Sequence, residues 1–222
     1  MPKTAHREEI EIKLRVPDVA ALRSRLKRLR AREISQRTHE LNTLYDTPKN
    51  DLRRRGQLIR IRIERLASSF RRRPQTDNDA AVLTFKGPSH LLSNAPGTGR
   101  NSEIRSHFKI KDEAEVSISG PDQMARILRA LGLHPSFRYE KFRTTYALPG
   151  VRGLKIELDE TPVGNYLELE GSIAGIDRGA RLLGYNRKEY LKETYGSLYL
   201  AECRRRGRKP GDMLFPPTKK LR

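Results

Sequence analysis

The chain has 222 residues, of which 36% are hydrophobic and 33% charged, so any core must be organised among many charges. Lys and Arg total 46 against 27 Asp and Glu, and the resulting charge of +19 favours polyanionic partners: nucleic acid, polyphosphate or small phosphorylated ligands. The single cysteine, Cys203, excludes an internal disulfide and a cysteine-based zinc site, and no apolar run approaches membrane-spanning length, so a cytoplasmic protein without membrane contact is expected.

Residues 9–16 alternate as a strand, with Glu9, Glu11 and Lys13 on one face and Ile10, Ile12 and Leu14 on the other. A helix follows, capped by Asp18 and striped by Val19, Leu22, Leu26 and Leu29. "HELNTLYDTP" predicts a strand ending in a turn at Asp46 to Pro48, and "QLIRIRIERL" a strand with Arg60 and Arg62 opposite Ile59, Ile61 and Ile63. "ASSFRRRPQTDNDA" has no period and predicts a mobile hairpin loop. "AVLTFKG" sets Thr84 and Lys86 against Leu83 and Phe85. The loop over 88–101 is glycine-rich but lacks the Gly-Lys-Ser/Thr ending of a phosphate-binding loop.

"SEIRSHFKI" predicts a strand with Glu103 and Arg105 on one face. "GPDQMARILRALGL" predicts a helix with Asp122 as cap. Three strands follow, "YEKFRTTYAL", "GLKIELDE" and "NYLELEG", then helices over roughly 173–183 and Arg187 to Ala201. The domain is expected to span 1–202. The basic, proline-bearing tail, 203–222, is expected to be irregular, either as a solvated segment or as an arm for polyphosphate or nucleic acid.

The strands share one pattern. Glu9, Glu11 and Lys13; Arg60 and Arg62; Lys86; Glu103 and Arg105; Lys141 and Arg143; Glu157 and Asp159; and Glu168 and Glu170 all lie opposite apolar neighbours. Amphipathic helices would cover the apolar face, leaving the charged face for the other side. An open sheet with that face in solvent is one outcome. Acids and bases segregate by strand, however, which favours an α+β fold: an eight-stranded antiparallel barrel closed around its charges, with amphipathic helices outside. Buried carboxylates repel unless cations join them, and Mg²⁺ or Mn²⁺ suits oxygen ligands; the Lys and Arg set then calls for phosphate oxygens.

The ordered motifs "EIEIK", "LYDTP", "IRIR", "TFKGP", "EIR", "KFRTTY" and "IELDETPVGNYLELEG" resemble the CYTH superfamily, the triphosphate tunnel metalloenzymes, over roughly residues 8–200. That group includes thiamine triphosphatases, inorganic triphosphatases and class IV adenylate cyclases. The resemblance implies metal binding by Glu9, Glu11, Glu168 and Glu170, with Glu157 and Asp159 beside the metal on an adjacent strand and Asp159 supporting the metal or its water. It implies that Lys13, Arg60, Arg62, Lys86, Arg105, Lys141 and Arg143 grip phosphate oxygens. Glu103 would orient an arginine. Lys192, placed on the last helix, would reach the tunnel mouth or simply face solvent. Tyr45 would act with Lys86 on the attacking water, or be an ordinary packed aromatic beside a turn.

Three functions follow: a metal-dependent triphosphatase acting on inorganic or small organic triphosphate, an adenylate cyclase, or a non-catalytic binder of polyphosphate or nucleic acid. The carboxylate set argues against the last, because a pure polyanion binder gains nothing from inward acids.

Overall fold

The computed structural model describes residues 7–70, 80–89 and 108–216. Eight strands close into an antiparallel barrel in the order β1-β5-β4-β3-β2-β6-β7-β8. They are β1 (Arg7–Val16), β2 (Arg32–Asp46), β3 (Leu58–Leu66), β4 (Ala80–Ser89), β5 (Lys109–Ile118), β6 (His134–Ala147), β7 (Lys155–Thr161) and β8 (Gly164–Glu170). The α+β barrel expected from the alternation is therefore what the chain forms.

Alternation decides which way each residue points. Pairing of β1 with β8 sets Lys13 against Glu168 and Glu11 against Glu170. Pairing of β7 with β8 sets Glu157 against Glu168, and pairing of β6 with β7 sets Arg143 against Asp159. The polar positions thus run unbroken round the inner wall. The opposite positions, Ile12, Leu14, Ile156, Leu158, Leu167 and Leu169, are buried on the outer wall beneath helices.

Those helices are α1 (Val19–Arg28), two short turns α2 (Asp51–Arg54) and α3 (Ala67–Phe70), α4 (Pro121–Ala130), α5 (Ile173–Leu182) and α6 (Tyr195–Arg205). Asp18 caps α1 by accepting from the Ala21 amide at 2.9 Å, and α1 buries Leu22 and Leu26. Each buried leucine contributes about 1.5–3 kcal/mol, which holds α1 on the apolar wall although its outer face is basic. Ser172 caps α5, whose Gly179 lies so close to Leu154 that a Cβ there would sit 2.3 Å from the leucine side chain. α4 buries Ala125 and Leu128 over Ile61, Ile63 and Ala81.

Several expectations shift. The N-cap of α4 is Gly120, without a side-chain bond, so Asp122 lies in the first turn rather than capping it. Ala67–Phe70 is helical rather than loop, while 71–79 fall outside the described residues. The fifth strand runs over 109–118, later than the expected 102–110, and Glu103 and Arg105 fall outside the described residues. The single helix expected from Arg187 to Ala201 is instead a 3-10 turn, Arg187–Glu189, and then α6. Between them Leu191 bridges Lys13 of β1, because β1 pairs with β5 only as far as Glu11.

Past α6 the chain is irregular but docked. Met213 is 1% exposed; its amide donates to the Arg138 carbonyl at 2.9 Å and its carbonyl accepts from the Glu140 amide at 3.0 Å. Asp212 accepts from the Arg138 amide at 2.8 Å, and the Phe215 ring lies 5.2 Å from Phe142. Met213→Asp should release this segment, since a buried uncompensated charge costs more than the roughly 1.4 kcal/mol equivalent to tenfold. Hydrogen exchange at the Glu140 and Met213 amides should quicken at least ~10-fold. Unchanged protection would mean that Met213 does not hold the segment in place.

Candidate active site

The barrel encloses a cavity of about 1240 Å³. Its wall carries Glu9, Glu11 and Lys13 from β1, Arg60 and Arg62 from β3, Lys86 from β4, Lys141 and Arg143 from β6, Glu157 from β7, and Glu168 and Glu170 from β8. The sequence had marked all of these. Lys192 also lines the cavity, from the segment before α6 rather than from a helix.

The side chains form two linked groups. In the first, Arg143 is the hub. Its Nε donates to Asp159 Oδ1 at 2.6 Å and its Nη2 to Asp159 Oδ2 at 2.5 Å, and it also pairs with Glu157 and Glu168. Lys141 Nζ donates to Asp159 Oδ2 at 2.9 Å and lies 3.4 Å from Glu40. Lys13 donates to Glu168, and Lys155 lies 2.7 Å from Glu157 and 3.2 Å from Glu170. In the second group, Lys86 pairs with Glu9 and lies 3.2 Å from Glu113. Arg60 donates to the Tyr139 hydroxyl at 3.3 Å and to Thr84 Oγ1 at 3.1 Å, and Arg60 and Arg62 lie 3.4 and 3.6 Å from Glu115.

Burial alone would raise every carboxyl here, and the neighbouring charges decide each outcome. For Glu40, burial is outweighed by Lys141, Arg143, Arg62 and Arg60, which hold it at about 2. For Glu168, burial is likewise outweighed by Lys13, Arg143 and Lys141, leaving it well below the usual carboxylate range. Burial prevails at Glu157, helped by Glu168 and Asp159. At Glu113 burial, with Glu9 and Glu115 close by, outweighs Lys86 and pushes the carboxyl up to about 7. Glu115, facing Arg62 and Arg60, is lowered despite its own burial.

The Glu113 shift has a testable sign. Its folded form binds the proton more tightly than the unfolded chain does, so its contribution to stability is fullest at low pH and falls away as pH rises through about 7. Glu113→Gln removes that loss. The variant should therefore melt higher than the parent at pH 8, with the gain shrinking towards pH 5. A gain independent of pH would show that Glu113 does not carry the proton.

Two expected roles change. Tyr45 is not beside Lys86. The register aligns Tyr45 with Ile59 and Phe85, and it packs with Ile61, Ile63 and Leu128, the packed-aromatic alternative, although it also borders the cavity, while Lys86 turns to Glu9 and Glu113. Asp159, expected beside a metal, is fully buried, with both oxygens taken by Lys141, Arg143 and Tyr195. It is an anchor for the bases.

The sequence reading missed Glu40, Lys111, Glu113, Glu115, Lys155, Tyr139 and Tyr195. Lys111, Glu113 and Glu115 alternate with Ala114 and Val116 within "KIKDEAEVSI", a period-two signal hidden by placing the fifth strand too early. Lys111 also donates to the Gly56 carbonyl at 3.1 Å, where a left-handed φ of +68° turns the chain into β3.

Oxygen donors alone make up the acid set, the chemistry a hard divalent cation needs. Among the described residues no three His, Cys, Asp or Glu side chains already converge on one point. Glu9, Glu157, Glu168 and Glu170 are instead turned to Lys or Arg, so cation binding requires the acids to exchange partners.

The described strands form a closed antiparallel barrel whose inner wall carries acids and bases, the architecture of a tunnel protein. The CYTH domain model matches residues 7–194, and the chain belongs to that family. Solved structures with the same fold include a proposed adenylate cyclase from Vibrio parahaemolyticus, with 16% identity, TM-score 0.66 and coverage of 86% of this chain and 97% of that one. The PH1819 protein from Pyrococcus horikoshii matches at 21% identity and TM-score 0.64, covering 87% and 99%. A Hippeastrum protein, a proposed adenylyl cyclase described as having a dominant triphosphatase activity, matches at 20% identity and TM-score 0.55, covering 91% and 97%. No curated protein matches. Among the described residues, no helix is long and apolar enough to cross a membrane.

Proposed function

We propose that the chain is a divalent-metal-dependent hydrolase of inorganic triphosphate or of a small organic triphosphate such as thiamine triphosphate. The observation that carries this reading is the balance of charge in the tunnel. The chain as a whole carries +19, yet along the cavity wall acids and bases nearly match. Among the described residues, bases outside the cavity include Arg25, Lys27 and Arg28 of α1 and Arg204, Arg205, Arg206 and Arg208 at and after the end of α6. A wall built for a bare polyanion would be basic throughout. A balanced wall suits a polyanion that arrives with its own cations.

On this reading Glu9, Glu11, Glu168 and Glu170 would hold Mg²⁺ or Mn²⁺, which would supply neutralisation of phosphate charge and a more acidic water. Lys13, Arg60, Arg62, Lys86, Lys111, Lys141 and Arg143, released from their acids, grip the phosphate chain. Phosphoryl transfer asks mainly for alignment and charge neutralisation, which fixed guanidinium and ammonium groups in an enclosed site provide. Asp159 keeps Lys141 and Arg143 in place and leaves their remaining N–H groups to the substrate.

The test is to incubate the protein with tripolyphosphate, thiamine triphosphate and ATP, each with Mg²⁺ or Mn²⁺, and to quantify phosphate, pyrophosphate and cyclic AMP. Phosphate release supports the proposal. Cyclic AMP with pyrophosphate would assign cyclase chemistry instead. Tight binding of polyphosphate or nucleic acid without product would make the basic exterior the functional surface.

A further inference from the structure

Tyr195 belongs to none of the motifs above, yet it sits where two tunnel lysines meet. It is the first residue of α6, and the chain leading into it is pinned. The Leu191 amide donates to the Lys13 carbonyl at 2.8 Å, the Lys13 amide donates to the Leu191 carbonyl at 3.2 Å, and Thr194 caps the helix through the Ser197 amide. The side chain enters the barrel and is 7% exposed. Its hydroxyl donates to Asp159 Oδ2 at 2.5 Å. Lys13 Nζ lies 4.4 Å from the ring centroid and Lys141 Nζ 5.2 Å. Tyr166 meets the ring edge-on at 5.7 Å, and Tyr139 lies 6.1 Å away.

We infer that Tyr195 is a positioning residue for the triphosphate: its ring holds the ammonium groups of Lys13 and Lys141, and its hydroxyl steadies the carboxylate that anchors Lys141 and Arg143. The inference rests on reading the tunnel as a triphosphate site. Lys13 and Lys141 also pair with Glu168 and Asp159, and an aromatic face adds to that hold without occupying a further N–H, so the remaining N–H groups stay available to a phosphate. Lysine stems are long and flexible, and fixing two of them before substrate arrives lowers the ordering cost of binding.

Two measurements test this with Tyr195→Phe, Tyr195→Leu and Tyr195→Met, the last filling more of the space that Leu leaves. The first needs no ligand. In protein labelled at lysine, the ε-methylene signals of Lys13 and Lys141, identified in Lys13→Arg and Lys141→Arg proteins, should be ring-shifted upfield. The shift should persist in Tyr195→Phe and vanish in the Leu and Met variants. The second is calorimetric binding of tripolyphosphate with Mg²⁺. Loss of the ring should weaken binding ~10-fold, while Phe should stay within about threefold, because two cation–ring contacts are lost only in the former. Unshifted methylenes in the parent protein, or full binding without the ring, would overturn the inference, as would Phe binding as poorly as Leu. A parent protein with shifted lysines that binds no tripolyphosphate would sink the triphosphate reading and leave Tyr195 holding lysines for another ligand.

Discussion

Arg143→Met is expected to cost about 3–5 kcal/mol of folding stability at pH 7, because it leaves buried carboxylates without their common partner. Arg143 pairs with Asp159, Glu157 and Glu168 and lies 3.6 Å from Glu40, and two of these carboxylates are deeply buried: Asp159 fully, and Glu40 with 2% exposed. Against a typical total of 5–15 kcal/mol, such a loss is a large share of the whole. The sign with pH follows from the lowered carboxyls. Glu40, held at about 2, and Glu168, held well below its ordinary value, contribute stability that is complete above the usual carboxylate range and is lost as pH falls through their folded values. The gap between parent and variant should therefore be full above about pH 5 and narrow towards pH 2. Urea unfolding at pH 7 and pH 3 measures it. An equal loss at both would place the effect in packing rather than charge.

Glu11→Gln is expected to lower Mg²⁺- or Mn²⁺-supported turnover about 100-fold, equivalent to about 3 kcal/mol of transition-state stabilisation, while leaving the melting temperature within a few degrees. The substitution keeps the shape of the side chain and removes only its charge. Glu11 faces Glu170 across the β1–β8 ladder, and it acts on both Lys13 and Lys86 through space, so its charge touches both halves of the wall. In the parent protein EDTA should abolish turnover, and added Mg²⁺ or Mn²⁺ should restore it. Activity that survives EDTA, or full activity in Glu11→Gln, would remove the metal from the account.

How far the sequence carried depended on the kind of signal. Strands whose inner residues are charged and whose outer residues are branched aliphatics, such as "EIEIKL" and "LIRIRIERL", declare both their period and their inward face, and β1, β3, β7 and β8 were legible for that reason. The strand over 109–118 was obscured because the preceding stretch from Ser102 to Ile110 shows a similar alternation, and local alternation alone cannot locate a strand along the chain. Of the two roles open to Tyr45, the packed aromatic is the one that alternation also gives, since Leu41, Thr43 and Tyr45 share the face opposite Glu40 and Asn42. Glu40 fell within an expected strand, yet its importance comes from four basic neighbours on two other strands. Tyr195 gave no local signal: a tyrosine at a helix start looks like packing until the bridge from Leu191 to Lys13 brings the start of α6 to β1 and the side chain reaches Asp159.

If the tunnel, rather than the basic exterior, receives a metal-bound phosphate chain, a crystal structure of the protein grown with tripolyphosphate and Mn²⁺ will show it, because manganese is located by its anomalous signal. Manganese is expected among Glu9, Glu11, Glu168 and Glu170, and phosphate oxygens against Arg60, Lys141 and Arg143. Phosphate density confined to the arginines of α1 or to those at the end of α6, with the ion pairs of the tunnel unchanged, would contradict it.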